Sequence, residues 1–176
     1  VGLGIIAQAV IGGISVRMQL NPWVVGLHMV VSVGLMLLCL EIIHVTGVAP
    51  IAASKRLRAL TTTVFTLGMV TIALGVLVTG AGPHSGDGAA QRNGFSPEWT
   101  AKLHAWSVWL LSAFVVIGLV WSRADPRARR RWLGRRATVA LQAVIGYVQY
   151  FTHLPMGMVL AHMIGDGSVI ARQPIR

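Results

Sequence analysis

The sequence predicts an all-α fold, a polytopic membrane helix bundle with about six transmembrane helices. Of its 176 residues, 55% are hydrophobic and only 11% are charged, and the mean hydropathy is +0.69. A water-soluble domain needs more charge than this to cover its surface. The apolar residues are gathered into long runs, and a helix crosses lipid because it satisfies its own backbone hydrogen bonds.

Crossing the hydrocarbon core takes about 20 apolar residues, and six runs reach or approach that length. They cover residues 1–16, 22–45, 60–80, 98–122, 137–151 and 154–171. The last two runs are short. The longest polar stretch on the predicted outer side is 81–97, whose Gly, Pro, Asn and Ser content is typical of a loop.

Basic residues predict the orientation of these helices. One cluster contains Lys55, Arg56 and Arg58, and seven arginines fall within 123–136. The positive-inside rule places segments 47–59 and 123–136 in the cytoplasm. The turns at 17–21, 81–97 and 152–153 are then external, and both ends of the chain are cytoplasmic. We therefore expect a multi-pass protein of the cell membrane whose first partner is the lipid bilayer.

The formal net charge of +10 does not indicate a nucleic-acid partner. The basic clusters lie between apolar runs, and only Trp132 accompanies them, whereas base-stacking surfaces interleave several aromatic and basic residues. Attraction to anionic lipid is a secondary effect of the same charges. The single cysteine, Cys39, excludes an internal disulfide and is interpreted as a buried apolar residue.

An internal repeat relates two parts of the chain. With an offset of 134 residues, Gln8-Ala9-Val10-Ile11-Gly12 recurs as Gln142-Ala143-Val144-Ile145-Gly146, and Leu20, Val25 and His28-Met29 match Leu154, Val159 and His162-Met163. We interpret these segments as two homologous helical hairpins, each with a histidine near the outer end of its second helix. Such duplication builds bundles around equivalent sites.

Three histidines are candidate haem ligands. His28, His104 and His162 lie six, six and eight residues into their predicted helices, about 9–12 Å below the outer ends. A neutral imidazole is a strong axial ligand for haem iron, and an ionisable side chain inside a span indicates function. His104 and His162 are the natural pair for one haem, and His28 requires a partner from outside this segment. The alternative is a hydrogen bond from each imidazole to a neighbouring helix.

Other polar residues receive weaker assignments. Outer-loop His84 and His153 are either solvated or in contact with a haem propionate. Glu41 and His44 form half of a di-iron motif, but the other helices lack matching carboxylates, so both are interpreted as interfacial. Asp166 either supports the His162 imidazole or marks a break in the last helix. Gln8 and Gln142 are predicted to join helices.

Three segments resemble the haem A synthase family, in a form similar to its actinobacterial members. They are GGISVRMQLNPWVVGLHMVVS at 12–32, LVTGAGPHSGD at 77–87 and LPMGMVLAHM at 154–163. The resemblance covers nearly the whole chain and implies an eight-helix protein made of two homologous four-helix halves. It assigns 1–47 to the second hairpin of the N-terminal half, 48–59 to a cytoplasmic linker, and 60–176 to the C-terminal half.

The resemblance also implies a function. Family members oxidise a ring methyl of haem O to the formyl group of haem A, which cytochrome oxidase requires. It implies that His104 and His162 ligate haem b and that His28 lies on the side of the substrate haem O. It further implies haem O synthase or cytochrome oxidase assembly factors as partners.

Two departures from the family pattern affect the site. Segment 81–97 has no cysteine, whereas many members carry a cysteine pair in this loop. The family's first two helices, which bring a glutamate and the partner of His28, have no counterpart here, so we expect this segment alone to have an incomplete active site. The alternatives considered are a non-catalytic bis-histidine b-type cytochrome and a transporter. The transporter is disfavoured because the repeats run in the same direction.

Overall fold

A computed structural model describes the backbone of residues 1–47, 54–82 and 90–171. Side chains 44, 45, 47 and 166–171 are outside this description. The described part contains six helices and no strand, which confirms the all-α prediction. They are α1 (Gly2–Arg17), α2 (Pro22–Gly47), α3 (Lys55–Ala81), α4 (Pro97–Trp121), α5 (Pro126–Phe151) and α6 (Met156–Ala171).

Three of these helices are long and apolar enough to cross a membrane. They are α2 over Pro22–Ile43, α3 and α4. In α2 only 6% of the apolar window is buried inside the protein, so its apolar side chains are available to lipid. The described apolar parts of α1 and α6, Gly2–Arg17 and Met156–Gly165, are shorter than such spans, and the arginines of α5 lower its hydropathy.

The predictions for the basic segment 123–136 and for Cys39 were wrong. The basic segment 123–136 is not a loop, because α5 already begins at Pro126. Asp125 caps this helix by accepting hydrogen bonds from the backbone nitrogens of Arg127 (2.9 Å) and Ala128 (3.2 Å), and a proline at the first turn favours helix initiation. Cys39, predicted to be buried, is exposed on α2, as a residue facing lipid would be.

The two hairpins of the repeat share one turn geometry. Four residues with positive φ occupy equivalent positions: Gln19 (53°) and Leu20 (56°) in the first hairpin, His153 (60°) and Leu154 (61°) in the second. The closing hydrogen bonds also match, since Leu20 N donates to Ser15 O and Leu154 N donates to Gln149 O, both at 2.8 Å. Left-handed backbone costs a non-glycine residue about 1–2 kcal/mol, so both turns are held by their surroundings. The sequence repeat is therefore also a repeat of local structure.

The chain divides into two compact units, 1–48 with 72–104, and 49–71 with 105–176. Within the first unit, α2 and α3 approach closely, because a side chain at Gly26 would contact Val76 at 3.0 Å. Asn93 closes the C-terminal end of α3 by donating to Leu77 O at 2.9 Å. Trp23 and Phe95 meet edge to face with ring centroids 6.1 Å apart.

The second unit has an apolar core around the ring of Trp132, which is only 2% exposed. The buried residues around it are Leu60, Val64, Leu111, Val115 and Val139. Gly118 of α4 leaves room for this ring, since any side chain there would overlap it. Arg135 lies with its guanidinium carbon 4.5 Å from the Trp132 ring centroid. Burial, with a smaller contribution from the charge of Arg131, lowers the pKa of Arg135 to about 10, so it remains a cation at neutral pH.

We expect Trp132→Ala to destabilise the protein by about 3–5 kcal/mol, the usual range for truncating a buried Trp. Thermal unfolding of the purified protein in detergent would measure the loss. Trp121→Ala is the matched control, because Trp121 is 55% exposed at the end of α4 and should change stability by less than about 0.5 kcal/mol. Equal effects of the two substitutions would contradict the assignment of the core.

Candidate functional site

The three candidate histidines lie at nearly the same position in their helices. His28 is six residues after the first residue of α2, His104 seven after that of α4, and His162 six after that of α6. At 1.5 Å per residue these positions are about 9–11 Å along each helix. Measured from the observed helix starts, the three histidines lie at more similar positions along their helices than when they are measured from the predicted starts. All three side chains are half-buried.

Each histidine ring packs against a glycine of the preceding helix. A Cβ added at Gly12 of α1 would lie 3.4 Å from Cε1 of His28, and one added at Gly75 of α3 would lie 3.3 Å from Cε1 of His104. A Cβ at Gly75 would be closer to the ring than real Cβ atoms normally come, so the His104 ring would have to move by a few tenths of an ångström, and a Cβ at Gly12 would lie at the limit of ordinary van der Waals contact. We call a glycine with its histidine ring a glycine notch.

The third notch is in the second unit. A Cβ added at Gly146 of α5 would lie 3.3 Å from Cε1 of His162, with Nε2 at 3.8 Å and Nδ1 at 3.9 Å. Gly12 and Gly146 are related by the 134-residue repeat, as are His28 and His162. The repeat thus preserves the whole notch. The notch of Gly75 and His104 has the same form without belonging to this repeat.

Gln8 fixes the backbone that carries His28. Its Nε2 donates to the carbonyl oxygen of His28 at 3.2 Å and to Oγ of Ser32 at 2.7 Å, and the Ser32 hydroxyl also donates to the His28 carbonyl at 2.8 Å. In the second hairpin the side-chain amide of Gln142 packs directly against Gly165 of α6. The prediction that both glutamines join helices is confirmed by these contacts.

The His28 ring suits a haem ligand. Its Nδ1 is buried and, among the described residues, has no hydrogen-bond partner. The Cε1–Nδ1 edge faces Gly12, and Nε2 lies more than 4 Å from the added Cβ. His104 presents the same edge to Gly75, with Nδ1 at 3.5 Å. In both cases Nε2, the nitrogen that would coordinate iron, is the ring nitrogen farther from the added Cβ, so the glycine leaves it unobstructed and these residues fit an axial-ligand role.

The units separate the candidates as follows. His28 and His104 are in the first unit, and His162 is in the second. The pairing of His104 with His162 on one haem stays a prediction. In the described part of the chain, no three His, Cys, Asp or Glu side chains could hold one metal ion together. Haem iron takes four ligands from the porphyrin and needs only one or two from the protein, so a haem site does not require three protein ligands close together.

The remaining candidates divide into those the structure describes and those it does not. His153 is exposed in the turn between α5 and α6, where solvent contact accounts for its polarity. His84, and the side chains of His44 and Asp166, lie outside the described residues. Segment 48–59 was predicted to be a linker; α3 begins within it at Lys55, and 48–53 are outside the description.

Sequence reasoning missed the glycines that face the histidines. For Gly12 and Gly146 a signal existed, because both belong to the repeated five-residue segment. For Gly75 no such signal existed, since only the packing of α3 against α4 shows its role. In comparisons with protein families, curated proteins and solved structures, no match to the chain was found.

Proposed function

We propose that this chain is the greater part of a haem A synthase, a membrane oxidoreductase that converts haem O to haem A for cytochrome oxidase. The observation that carries the proposal is the glycine notch, which occurs three times with its histidine at nearly one position along the helix. A histidine that merely fills an apolar interface requires neither a common depth nor a glycine opposite its ring.

The roles of the three histidines follow from the repeat and the resemblance. We assign His104 and His162 to haem b and His28 to the substrate haem O. Oxidation of a methyl group is redox chemistry that side chains cannot perform, and bound haem iron supplies it. The protein's own contribution is to hold imidazole nitrogens in fixed directions and to keep an apolar substrate away from water. The Gln8 hydrogen bonds stabilise the backbone beneath His28 for this purpose.

The proposal includes six transmembrane helices in the cell membrane with both ends of the segment in the cytoplasm. Support beyond α2, α3 and α4 comes from exposed apolar side chains on α1 and α5. Leu3 is 85% exposed and Ile5 is 62% exposed, while Leu141 and Val144 on α5 are each 59% exposed. Contiguous exposed apolar surface of this kind is normally covered by lipid or protein. Haem O synthase or cytochrome oxidase assembly factors are the proposed protein partners.

A non-catalytic bis-histidine b-type cytochrome is the second candidate. One observation favours it: within the described parts of α1 and α2, Glu41 is the only acidic residue. Glu41 follows His28 by 13 residues in the same helix, so it lies about 20 Å along the axis. It cannot serve as a carboxylate beside a porphyrin bound at His28.

Haem conversion separates the two candidates. Cells that make haem O but no haem A would express the chain together with a fragment carrying the family's first two helices, and extracted haem would be separated by chromatography. The proposal predicts haem A when both parts are expressed and none from the chain alone, because only the oxidoreductase changes the porphyrin and the expected site is incomplete without those two helices. A b-type spectrum without haem A would favour the cytochrome, and absence of any haem in the purified protein would remove both candidates.

A further inference from the structure

The geometry points to Gly12, Gly75 and Gly146 as positioning residues that set the direction in which His28, His104 and His162 present their coordinating nitrogens. We infer that each glycine notch orients an imidazole before any ligand binds. The identity of the ligand as haem rests on the proposed function, whereas the orienting contact between glycine and ring does not.

These contacts are specific to three glycines. Five other glycines in the helices have open space where a Cβ would lie: Gly2, Gly13, Gly34, Gly68 and Gly157. Gly13 is the chain neighbour of Gly12, and Gly68 lies seven residues before Gly75, about two turns away on nearly the same face of α3. Helical glycine is therefore common in this protein, but among the glycines whose surroundings the structure describes, only the three notch glycines approach a histidine ring.

The contact restricts the ring at Cε1, the atom between its two nitrogens. If the ring rotated so that one nitrogen came nearer the glycine, the other nitrogen would turn away from the glycine and the ring would change direction. At Gly12 and Gly75 the nearest nitrogen is Nδ1, at 3.9 Å and 3.5 Å from the added Cβ. Groups that contact a metal ligand orient it, and their mutation typically changes metal affinity about 10–100-fold. A methyl added at a notch glycine should therefore change haem affinity on that scale.

Glycine-to-alanine substitution is a clean test because it does not weaken the helix. Alanine has the higher helix propensity by roughly 1 kcal/mol, so a loss in the notch variants must come from the added methyl. The three notch variants are G12A, G75A and G146A, and the matched controls are G13A, G68A and G157A.

The first measurement uses the full chain without haem, labelled with ¹³C at histidine Cε1. Gly75→Ala should shift the Cε1 resonance of His104, Gly12→Ala that of His28, and Gly146→Ala that of His162, while the controls leave them in place. His→Gln variants assign each resonance. Unmoved resonances in the notch variants, or equal shifts in the controls, would overturn the inference whether or not the protein binds haem.

The second measurement uses the haem-loaded protein. We expect Gly75→Ala and Gly146→Ala to lower haem b affinity roughly tenfold. They should also shift the g-values of the low-spin ferric haem, which depend on imidazole orientation. Gly68→Ala and Gly157→Ala should match the wild type. If the wild type binds no haem while the resonance shifts occur, the proposed function fails and the orienting contact stands.

Misfolding of a notch variant would also be informative. If Gly75→Ala prevents folding because its methyl meets the His104 ring, removal of that ring should restore the protein. The double variant Gly75→Ala with His104→Ala should then be recovered at the yield of His104→Ala alone, which is the coupling expected of groups in direct contact. Failure of the double variant would contradict the notch.

Discussion

Replacement of His104 or His162 by alanine should abolish the six-coordinate, low-spin b-type spectrum of the purified protein. An axial imidazole is a direct iron ligand, so its loss should exceed the roughly 10–100-fold effect of removing a group that only orients a ligand. Optical spectra of the reduced and oxidised protein, together with haem content per chain, would measure the change.

The matched control is His153→Asn. His153 is exposed and has a φ of 60°, and asparagine is among the residues that tolerate this conformation. It removes an imidazole from the same hairpin as His162 without straining the turn. Retention of a normal spectrum in both His104→Ala and His162→Ala would disprove the proposed ligand pair.

Replacement of His28 by alanine should eliminate haem A formation while leaving the haem b spectrum intact. The reason is that His28 belongs to the other copy of the repeated hairpin, which we assign to the substrate. The variant would be expressed with a fragment carrying the family's first two helices in cells that supply haem O, and extracted haem would be separated by chromatography and scored for haem A. We expect no haem A above background from the His28→Ala variant.

The control for this experiment keeps His28 and changes Gly13, the residue that follows the notch glycine Gly12 in α1. Gly13→Ala adds a methyl next to Gly12, where no atom lies within 4 Å, and should retain conversion. Undiminished haem A from His28→Ala would transfer the chemistry to His104 and His162 and reject a separate substrate site. Loss of haem b in His28→Ala would show that the two sites are not independent.

Much of the local structure follows from the sequence because it depends on local interactions. Apolar runs and flanking basic residues are enough to predict helices and their approximate bounds. The repeat is readable because Gln8 and Gln142, and His28 and His162, are polar residues preserved at one offset among apolar ones. The position of each histidine along its helix then follows from the rise per residue, and the structure changes it only through the positions of the helix starts.

Other features were missed because they require two helices in contact. The start of α5 at Pro126 was hidden by the arginines, whose charges resemble a loop, although Asp125 caps the helix and Trp132 packs beneath it. The exposure of Cys39 depends on which face of α2 meets α1. Neither is a property of a short stretch of sequence.

The sequence by itself determined the all-helical class, the repeated hairpins and the positions of His28, His104 and His162, because hydropathy and spacing act along a single chain segment. Only the tertiary structure decided what each imidazole meets. Gly75 is one of 20 glycines in the chain, and nothing in its own neighbourhood marks it. It becomes part of a site because packing of α4 against α3 places the His104 ring where a side chain would otherwise be. The room beside the His104 ring is thus left by the absence of a side chain on a neighbouring helix, which only the packed structure makes visible.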